Sequence, residues 1–229
     1  MKYLKYSKKK ELKQKNQKKK KYNNIKEMYG IDEHPDWKIS PIIENELYLG
    51  AREGAEDEIT IYDYKIKSIL SICTLPVAVP SQVTEWKIIE FDDDPNETIS
   101  SCFDEAFKFL NNCKKPVLVH CEAGMSRSAT IVIGWLMSKG KTLKEAYTFV
   151  KERRTLISPN NGFLHQLYQY SEKLYPNDEG TILMLFNFFA NRGEKENEDI
   201  ETAKKFVSGF SKCKFNWALF WNNYKSLGL

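Results

Sequence analysis

Long apolar runs are missing from this sequence of 229 residues. A membrane-spanning helix needs about 18 or more consecutive apolar residues, whereas the most apolar stretch, residues 182–190, is much shorter and includes Asn187. The lysine-rich N-terminus is also not followed by the apolar segment of a signal peptide. We therefore expect neither a transmembrane span nor secretion, and we predict a cytoplasmic or nuclear location.

Cysteine and histidine are scarce as well. The chain has five cysteines and three histidines, and no two cysteines have the C-x-x-C spacing of redox and zinc motifs. An odd number of cysteines in a chain of this length does not suggest a disulfide framework, and the histidines are isolated from one another. We therefore predict a reducing compartment, no metal site and no cofactor.

Positive charge is concentrated at one end of the chain. Residues 1–21 contain 11 lysines and one acidic residue, a local balance of +10; because the whole chain carries +4, the remainder carries −6. Lysine repulsion and the lack of apolar residues predict a disordered tail over residues 1–25. Such a tail can contact an acidic protein, nucleic acid or an anionic membrane, and an extension without any binding role is the alternative.

Strand and helix patterns alternate through the middle of the chain. Short apolar segments predict strands at 46–50, 64–73, 86–91 and 116–120. Apolar residues at helical spacing lie between these segments and predict helices. This alternation predicts an α/β fold with a central, mostly parallel sheet flanked by helices. We expect this domain to cover residues 40–175.

The remaining segment, residues 178–229, is rich in aromatic residues. Apolar residues at helical spacing predict helices at 181–191, 198–212 and 215–226. Their apolar faces need a covering surface, so we predict a helical extension that packs on the preceding domain or on a partner.

One strand leads into a loop that has the residue types of an anion site. The apolar strand at 116–120 delivers Cys121 to a loop in which Gly124 permits a tight turn, and an apolar helix follows. Backbone N–H groups converge at such a helix start, where they bind an anion and favour a thiolate. Arg127 can hold two oxygens of an oxyanion with its guanidinium group. The loop therefore predicts a nucleophile and a phosphate site in one element.

The pattern His-Cys-x-x-Gly-x-x-Arg-Ser at residues 120–128 resembles the signature of the cysteine-dependent protein phosphatases. The longer string His-Cys-Glu-Ala-Gly-Met-Ser-Arg-Ser-Ala-Thr, with Ala-Tyr-Thr-Phe-Val-Lys and Ile-Ser-Pro-Asn downstream, is similar to the dual-specificity branch of that superfamily. The resemblance implies that Cys121 attacks phosphorus to form a phosphocysteine, while Arg127 and the loop amides bind the phosphate. The other phosphate-binding loop residues are then Glu122, Ala123, Gly124, Met125 and Ser126.

The resemblance also implies a general acid on a second loop, because a thiolate cannot supply the proton that the leaving oxygen needs. Asp92, Asp93 and Asp94 follow a predicted strand, at the same carboxyl edge of the sheet as the cysteine loop. Counting back from residues 99–103, which resemble the family's start of the next helix, points to Asp93. Its two neighbours remain alternatives. The ionised acid would then activate the water that hydrolyses the phosphocysteine.

Three further residues match positions of the family. Ser128 is expected to hydrogen-bond the cysteine sulfur and ease its departure. His120 is expected to orient the loop, and Asn160 to lie near it. Helix capping is the alternative for two of them: for Ser128 both roles can hold together, and for Asn160 capping explains the residue equally well.

The resemblance also bears on the substrate. Residues 40–175 leave no room for the tyrosine-bearing recognition loop of the tyrosine-specific branch, and none of the variable loop residues 122, 123, 125 and 126 is basic. Both features favour monophosphorylated protein carrying phosphotyrosine, phosphoserine or phosphothreonine, with protein kinases among the candidate partners. The alternatives are a phosphoinositide or RNA 5′-phosphatase recruited by the lysine tail, and an inactive module that binds phosphoproteins.

Overall fold

The computed structural model describes residues 37–75 and 77–190, and these contain five strands and seven α-helices. In chain order they are β1 (Ile39–Ile43), β2 (Leu47–Gly50), α1 (Arg52–Glu56), α2 (Glu58–Asp63), β3 (Ser68–Ile72), β4 (Glu85–Ile89), α3 (Phe103–Asn112), β5 (Val117–His120), α4 (Arg127–Ser138), α5 (Leu143–Arg153), α6 (Asn161–Leu174) and α7 (Glu179–Ala190). A short 3₁₀ turn at Ile99–Cys102 leads into α3.

The strands form one sheet in the order β1-β2-β5-β3-β4. β1 and β2 pair antiparallel, and all other neighbours pair parallel. The predicted α/β fold with a mostly parallel sheet is thereby confirmed. β5 lies in the middle, with His120 in register with Gly50 of β2 and with Ser71 of β3. The carboxyl end of β5 is therefore the centre of the edge where ligands bind in such sheets.

Apolar side chains cover both faces of the sheet. In β3, Leu70 belongs to the larger core, which includes α3 to α7, while Ile69 belongs to a smaller cluster that includes Ile61 of α2. Every residue of β3 and β5 is buried. This burial on both faces explains why these strands read as nearly continuous apolar runs in the sequence.

The predicted strand at 64–73 is partly wrong. β3 begins only at Ser68. Tyr64 caps the end of α2, and Lys65 has a positive φ of 54°. The N–H of Ile66 then donates to the carbonyl of Ile61, and its side chain packs in the smaller cluster. The alternation of polar and apolar residues that suggested an earlier strand start therefore belongs to a turn after α2.

Helix α7, at residues 179–190, corresponds to the first of the three predicted helices of the C-terminal segment, 181–191. Ile182 and Leu185 are buried in the larger core, and the hydroxyl of Thr181 accepts the N–H of Lys144, at 3.3 Å, in the first turn of α5. The predicted helices at 198–212 and 215–226 and the lysine-rich tail lie outside the described residues. The domain division therefore stays a prediction. Among the described helices, none combines the length and the apolar character that a bilayer crossing requires.

Candidate active site

The loop between β5 and α4 turns tightly at Gly124. Its φ is +66°, a conformation that side-chain-bearing residues rarely adopt. A Cβ atom at this position would also collide with the carbonyl oxygen of Gly50, at the end of β2. Glycine is therefore required both by the turn and by the close approach of the neighbouring strand.

Cys121 lies at the start of this loop and is only 2% exposed. The hydroxyl of Ser128, in the first turn of α4, donates to the Cys121 sulfur at 3.2 Å. A hydroxyl donor beside the sulfur, together with the N-terminus of a buried helix, stabilises negative charge on that atom. Ser128 thus contacts the nucleophile that the sequence predicted.

Arg127 is buried beside the loop, and part of its hydrogen-bonding capacity is not used. Its Nη1 donates to the carbonyl of Phe91 at 3.0 Å, which anchors the guanidinium group. Its Nε is buried and has no hydrogen-bond partner among the described residues; the nearest carboxylate oxygen is Oδ2 of Asp93, at 3.7 Å. A buried donor without an acceptor costs about 1–3 kcal/mol. The arrangement fits a site that supplies an oxyanion as the acceptor.

The loop after β4 brings Asp93 to the cysteine loop. Its Oδ1 accepts the hydroxyl of Ser126 at 2.7 Å and the side-chain amide of Asn160 at 2.8 Å. Asp92 instead accepts from Thr74 at 3.4 Å. Asp93 thus hydrogen-bonds both to the loop of Cys121 and to the start of α6.

Asp94 and Asn160 also hydrogen-bond within these two segments. Asp94 accepts the backbone N–H of Asn96 at 2.8 Å, within its own turn. Asn160 accepts the N–H of Phe163 at 3.0 Å and so caps α6, while its amide group donates to Asp93. Capping and proximity to the site, the two interpretations of Asn160, therefore hold together.

His120 is fully buried and is bonded on both sides. Its Nδ1 lies 3.0 Å from the carbonyl oxygen of Cys121 and its Nε2 lies 2.6 Å from the hydroxyl of Ser71. A carbonyl can only accept, so Nδ1 carries the proton and Nε2 accepts from Ser71. Burial lowers the pKa of His120 to about 4, against a smaller opposing effect of the bond to Cys121. The neutral ring therefore fixes the backbone of the nucleophile.

Arg52 contacts the cysteine loop from α1, a role that the sequence analysis missed. Its Nε and Nη2 donate to the two carboxylate oxygens of Glu122 at 2.9 and 2.8 Å. Burial by itself lowers the pKa of Arg52, but the hydrogen bonds and charge of Glu122 raise it above its ordinary value. The charge of the one acidic residue in the loop is thus balanced by a bidentate partner.

Arg154 is a second contributor that the sequence analysis missed. Its side chain is fully buried. Nε donates to the carbonyl of Gly124 at 2.8 Å and Nη2 to that of Ala123 at 3.2 Å. The same guanidinium group donates to Ser40 Oγ at 2.9 Å and to the carbonyl of Trp37 at 2.8 Å. It therefore ties the loop to the segment that begins β1.

The contacts of Arg154 also orient the loop amides. In a trans peptide the C=O and N–H groups point in opposite directions. Because the carbonyls of Ala123 and Gly124 face Arg154, the N–H groups of residues 124 and 125 point away from it.

No group of three or more metal-ligating side chains occurs in the described part of the chain.

Comparison with known proteins identifies relatives for most of this domain. Residues 47–173, more than half of the chain, match the family model "Dual specificity phosphatase, catalytic domain". Dual specificity protein phosphatase 5 of Homo sapiens is 37% identical over 134 residues, which cover 57% of this chain and 35% of that protein. Dual specificity protein phosphatase 1 of Arabidopsis thaliana is 34% identical over 149 residues, which cover 63% of this chain and 75% of that protein.

Solved structures are similar over a comparable share of the chain. Human DUSP28 superimposes with a TM-score of 0.55 at 26% identity, covering 59% of this chain and 94% of that one. DUSP15 superimposes with a TM-score of 0.55 at 30% identity, covering 60% of this chain and 92% of that one. The chain spans about a third of the length of several curated relatives that it matches.

Proposed function

The chain belongs to the dual specificity phosphatase family, and we propose that it hydrolyses phosphate monoesters on proteins through a phosphocysteine at Cys121. Membership of this family confirms the resemblance seen at residues 120–128. One observation carries the proposed activity: the nucleophile, a buried arginine with an unused donor and an aspartate meet at the loop between β5 and α4.

The first chemical step transfers the phosphoryl group from the substrate oxygen to the sulfur of Cys121. The S–P bond forms as the P–O bond breaks, and the leaving oxygen takes the proton of the Asp93 carboxyl group. Arg127 Nε and the loop amides hydrogen-bond the equatorial oxygens as charge develops on them. Ser126 and Asn160 both donate to Oδ1 of Asp93. Oδ2 lies 3.7 Å from Arg127 Nε, beyond hydrogen-bond distance, and is the oxygen to which we assign the proton.

The second step hydrolyses the phosphocysteine. The Asp93 carboxylate takes a proton from water, the water oxygen attacks phosphorus, and the S–P bond breaks to return the thiolate. Ser128 supports this step because its hydroxyl donates to the sulfur at 3.2 Å and stabilises the leaving thiolate. Inorganic phosphate then leaves, and Asp93 is again protonated for the next substrate.

The chemistry of the loop favours a singly phosphorylated substrate. Handling several phosphates on one ligand calls for extra cations, and the variable side chains of the loop include none. Its one charged side chain, Glu122, is held by Arg52. We therefore propose phosphotyrosine, phosphoserine and phosphothreonine in proteins as substrates, with protein kinases among the candidate partners.

A substrate panel tests this proposal. Phosphopeptides that carry each of the three phosphoresidues are compared with phosphoinositides and triphosphorylated RNA, using the full chain and its Cys121→Ser variant. We expect turnover of the peptides, a phosphate adduct on Cys121 in rapidly quenched samples, and no turnover by the variant. Preference for lipid or RNA would replace the proposed substrate class. Binding of phosphopeptides without turnover at any pH from 5 to 8 would instead identify a binding module.

Single substitutions assign the acid. Asp93→Asn should lower kcat on a phosphoserine peptide by about 100-fold or more, since general acid catalysis contributes roughly 10²–10⁴-fold. Asp92→Asn and Asp94→Asn are the matched controls, and their kcat should stay near that of the wild type. A wild-type rate for Asp93→Asn would contradict the assignment.

A further inference from the structure

Helix α6 holds the loop that carries Asp93 along its first two turns. Beyond the bond from Asn160 to Asp93, the side chain of Gln166 and the backbone at Gly162 contact this loop. These two residues lie outside the signature of the cysteine loop. They are about one helical turn apart, so they present to the loop from the same side of α6.

Gln166 uses both ends of its amide group on the loop. Its Nε2 donates to the carbonyl of Glu97 at 2.7 Å, and its Oε1 accepts the N–H of Ser100 at 2.9 Å. Glu97 belongs to the segment that joins Asp93 to the 3₁₀ turn, and Ser100 belongs to the turn itself. A single half-buried side chain thus fixes that segment at two backbone groups.

Gly162 lets the backbone of the loop lie directly on the helix. A Cβ atom at residue 162 would collide with the carbonyl oxygen of Pro95 and would lie 2.6 Å from its carbonyl carbon. Contacts below 3.0 Å with backbone atoms cannot be relieved by rotating a side chain. Any other residue at position 162 would therefore displace Pro95, which is two residues from Asp93.

We propose that Gly162 and Gln166 are positioning residues that hold Asp93 in its proton-donating position before substrate binds. The proposal rests on the function proposed above. Transfer of a proton requires hydrogen-bond distance between the acid and the leaving oxygen, and a misplacement of about 1 Å can cost roughly 100-fold in rate. A loop fixed to α6 by its backbone meets this requirement without a closing motion.

The leaving group distinguishes positioning from a general structural role. A nitrophenolate oxygen leaves without a proton, whereas a serine or threonine alkoxide needs one in the transition state. Displacement of Asp93 should therefore slow phosphocysteine formation from a phosphoserine substrate and leave its formation from nitrophenyl phosphate, measured as the burst of nitrophenolate, nearly unchanged. The second step is common to both substrates, so the first step is the one compared. Damage to the cysteine loop would slow both reactions equally.

Two substitutions and two matched controls test the proposal. Gly162→Ala and Gln166→Ala should lower kcat on a phosphoserine peptide by about 10- to 100-fold, with KM nearly constant and little effect on the rate of the nitrophenolate burst from p-nitrophenyl phosphate. Gly180→Ala is the control for the glycine, because Gly180 is likewise the second residue of its helix and its Cβ would meet only side chains, Lys144 at 3.2 Å and Asp178 at 3.6 Å, and no backbone atom. Gln169→Ala removes an exposed glutamine of α6. Both controls should keep wild-type rates.

A conservative variant and a double variant refine the result. Gln166→Glu keeps an acceptor for the N–H of Ser100 but loses the donor to Glu97, so its kcat should fall between those of the wild type and Gln166→Ala. Adding Asp93→Asn to Gln166→Ala should cost little more than Asp93→Asn alone, because both changes remove the same proton transfer. Additive losses, or equal losses in the rate of phosphocysteine formation from both substrates, would overturn the proposal.

Hydrogen exchange of residues 93–102 tests the docking independently of activity. Exchange at the Ser100 amide should be faster in Gln166→Ala than in the wild type and Gln169→Ala, at equal thermal stability. Unchanged exchange would overturn the proposal even if the rates fell. A wild-type protein that hydrolyses no phosphate ester would refute the proposed function, and the exchange data would still decide whether α6 holds the loop.

Discussion

Protonation of His120 should make the free energy of unfolding fall as the pH is lowered from 6.5 to 4. The ring is buried between the carbonyl of Cys121 and the hydroxyl of Ser71, and burial lowers its pKa from 6.5 to about 4. Between these two values the unfolded chain binds a proton that the folded protein does not. Acid therefore favours the unfolded state, and the stabilisation present above pH 6.5 is lost as the pH falls through 4.

The size of this effect follows from the lowered pKa. One pKa unit corresponds to about 1.36 kcal/mol, so the change from 6.5 to about 4 corresponds to roughly 3 kcal/mol for this fully buried ring. The charged groups whose fields also reach the ring are Arg52, Glu122 and Arg127. Their effects are included in the lowered value, and none of them changes the sign.

Urea denaturation at pH 4.5, 5.5, 6.5 and 7.5 measures this contribution. His120→Asn removes the titrating ring and keeps a donor that can reach the carbonyl of Cys121. Acid titration of carboxylates cancels when the two proteins are compared at each pH. The stability advantage of the wild type should shrink steadily below pH 6.5. A difference that stays constant from pH 7.5 to 4.5 would refute the linkage to His120.

Three further substitutions give distinct outcomes. Arg154→Met should lower the free energy of unfolding in urea by about 3–5 kcal/mol, because it breaks a buried, hydrogen-bonded cation network, and Arg154→Lys should restore little of it; wild-type stability of the Met variant would contradict the role of Arg154. Gly124→Ala should weaken vanadate binding in calorimetry by more than about 10-fold, since a left-handed residue costs roughly 1–2 kcal/mol before its collision with Gly50 is counted; unchanged affinity would show that the loop tolerates a Cβ. Ser128→Ala should slow hydrolysis of the phosphocysteine by about 10- to 100-fold, as expected for a hydrogen bond to a charged sulfur. The variant should then release a burst of the first product before a slow steady state. A variant that shows no burst and turns over at the rate of the wild type would contradict this role of Ser128.

The local part of the site could be predicted because its signals are contiguous. A buried strand, a glycine turn and an apolar helix follow one another within residues 116–137, so the geometry of that loop follows from short-range rules. Asp93 required one longer step, since the carboxyl ends of parallel strands meet at one edge of the sheet. The sequence favoured Asp93 by counting back from the next helix, and in the structure Asp93 hydrogen-bonds to Ser126.

The supporting residues could not be predicted, because their partners are distant in the sequence. Arg52 and Glu122 are 70 residues apart, and Arg154 and Trp37 are 117 residues apart. No periodicity or motif links such positions, and an arginine in either place looks like a surface residue. Gln166 lies 69 residues from Glu97. These contacts exist only once the fold has brought the start of β1, α1 and α6 next to the cysteine loop and the neighbouring loop of Asp93.

The folded domain extends beyond the region that matches the family, because it includes helix α7. The family match ends at residue 173, yet Ile182, Leu185 and Phe186 of α7 are buried in the larger core. Burial of such side chains contributes about 1.5–3 kcal/mol each, and the hydroxyl of Thr181 also accepts the N–H of Lys144 in the first turn of α5. Truncation at the homology boundary would uncover this apolar surface and promote aggregation, whereas a fragment that retains residues up to 190 keeps it covered.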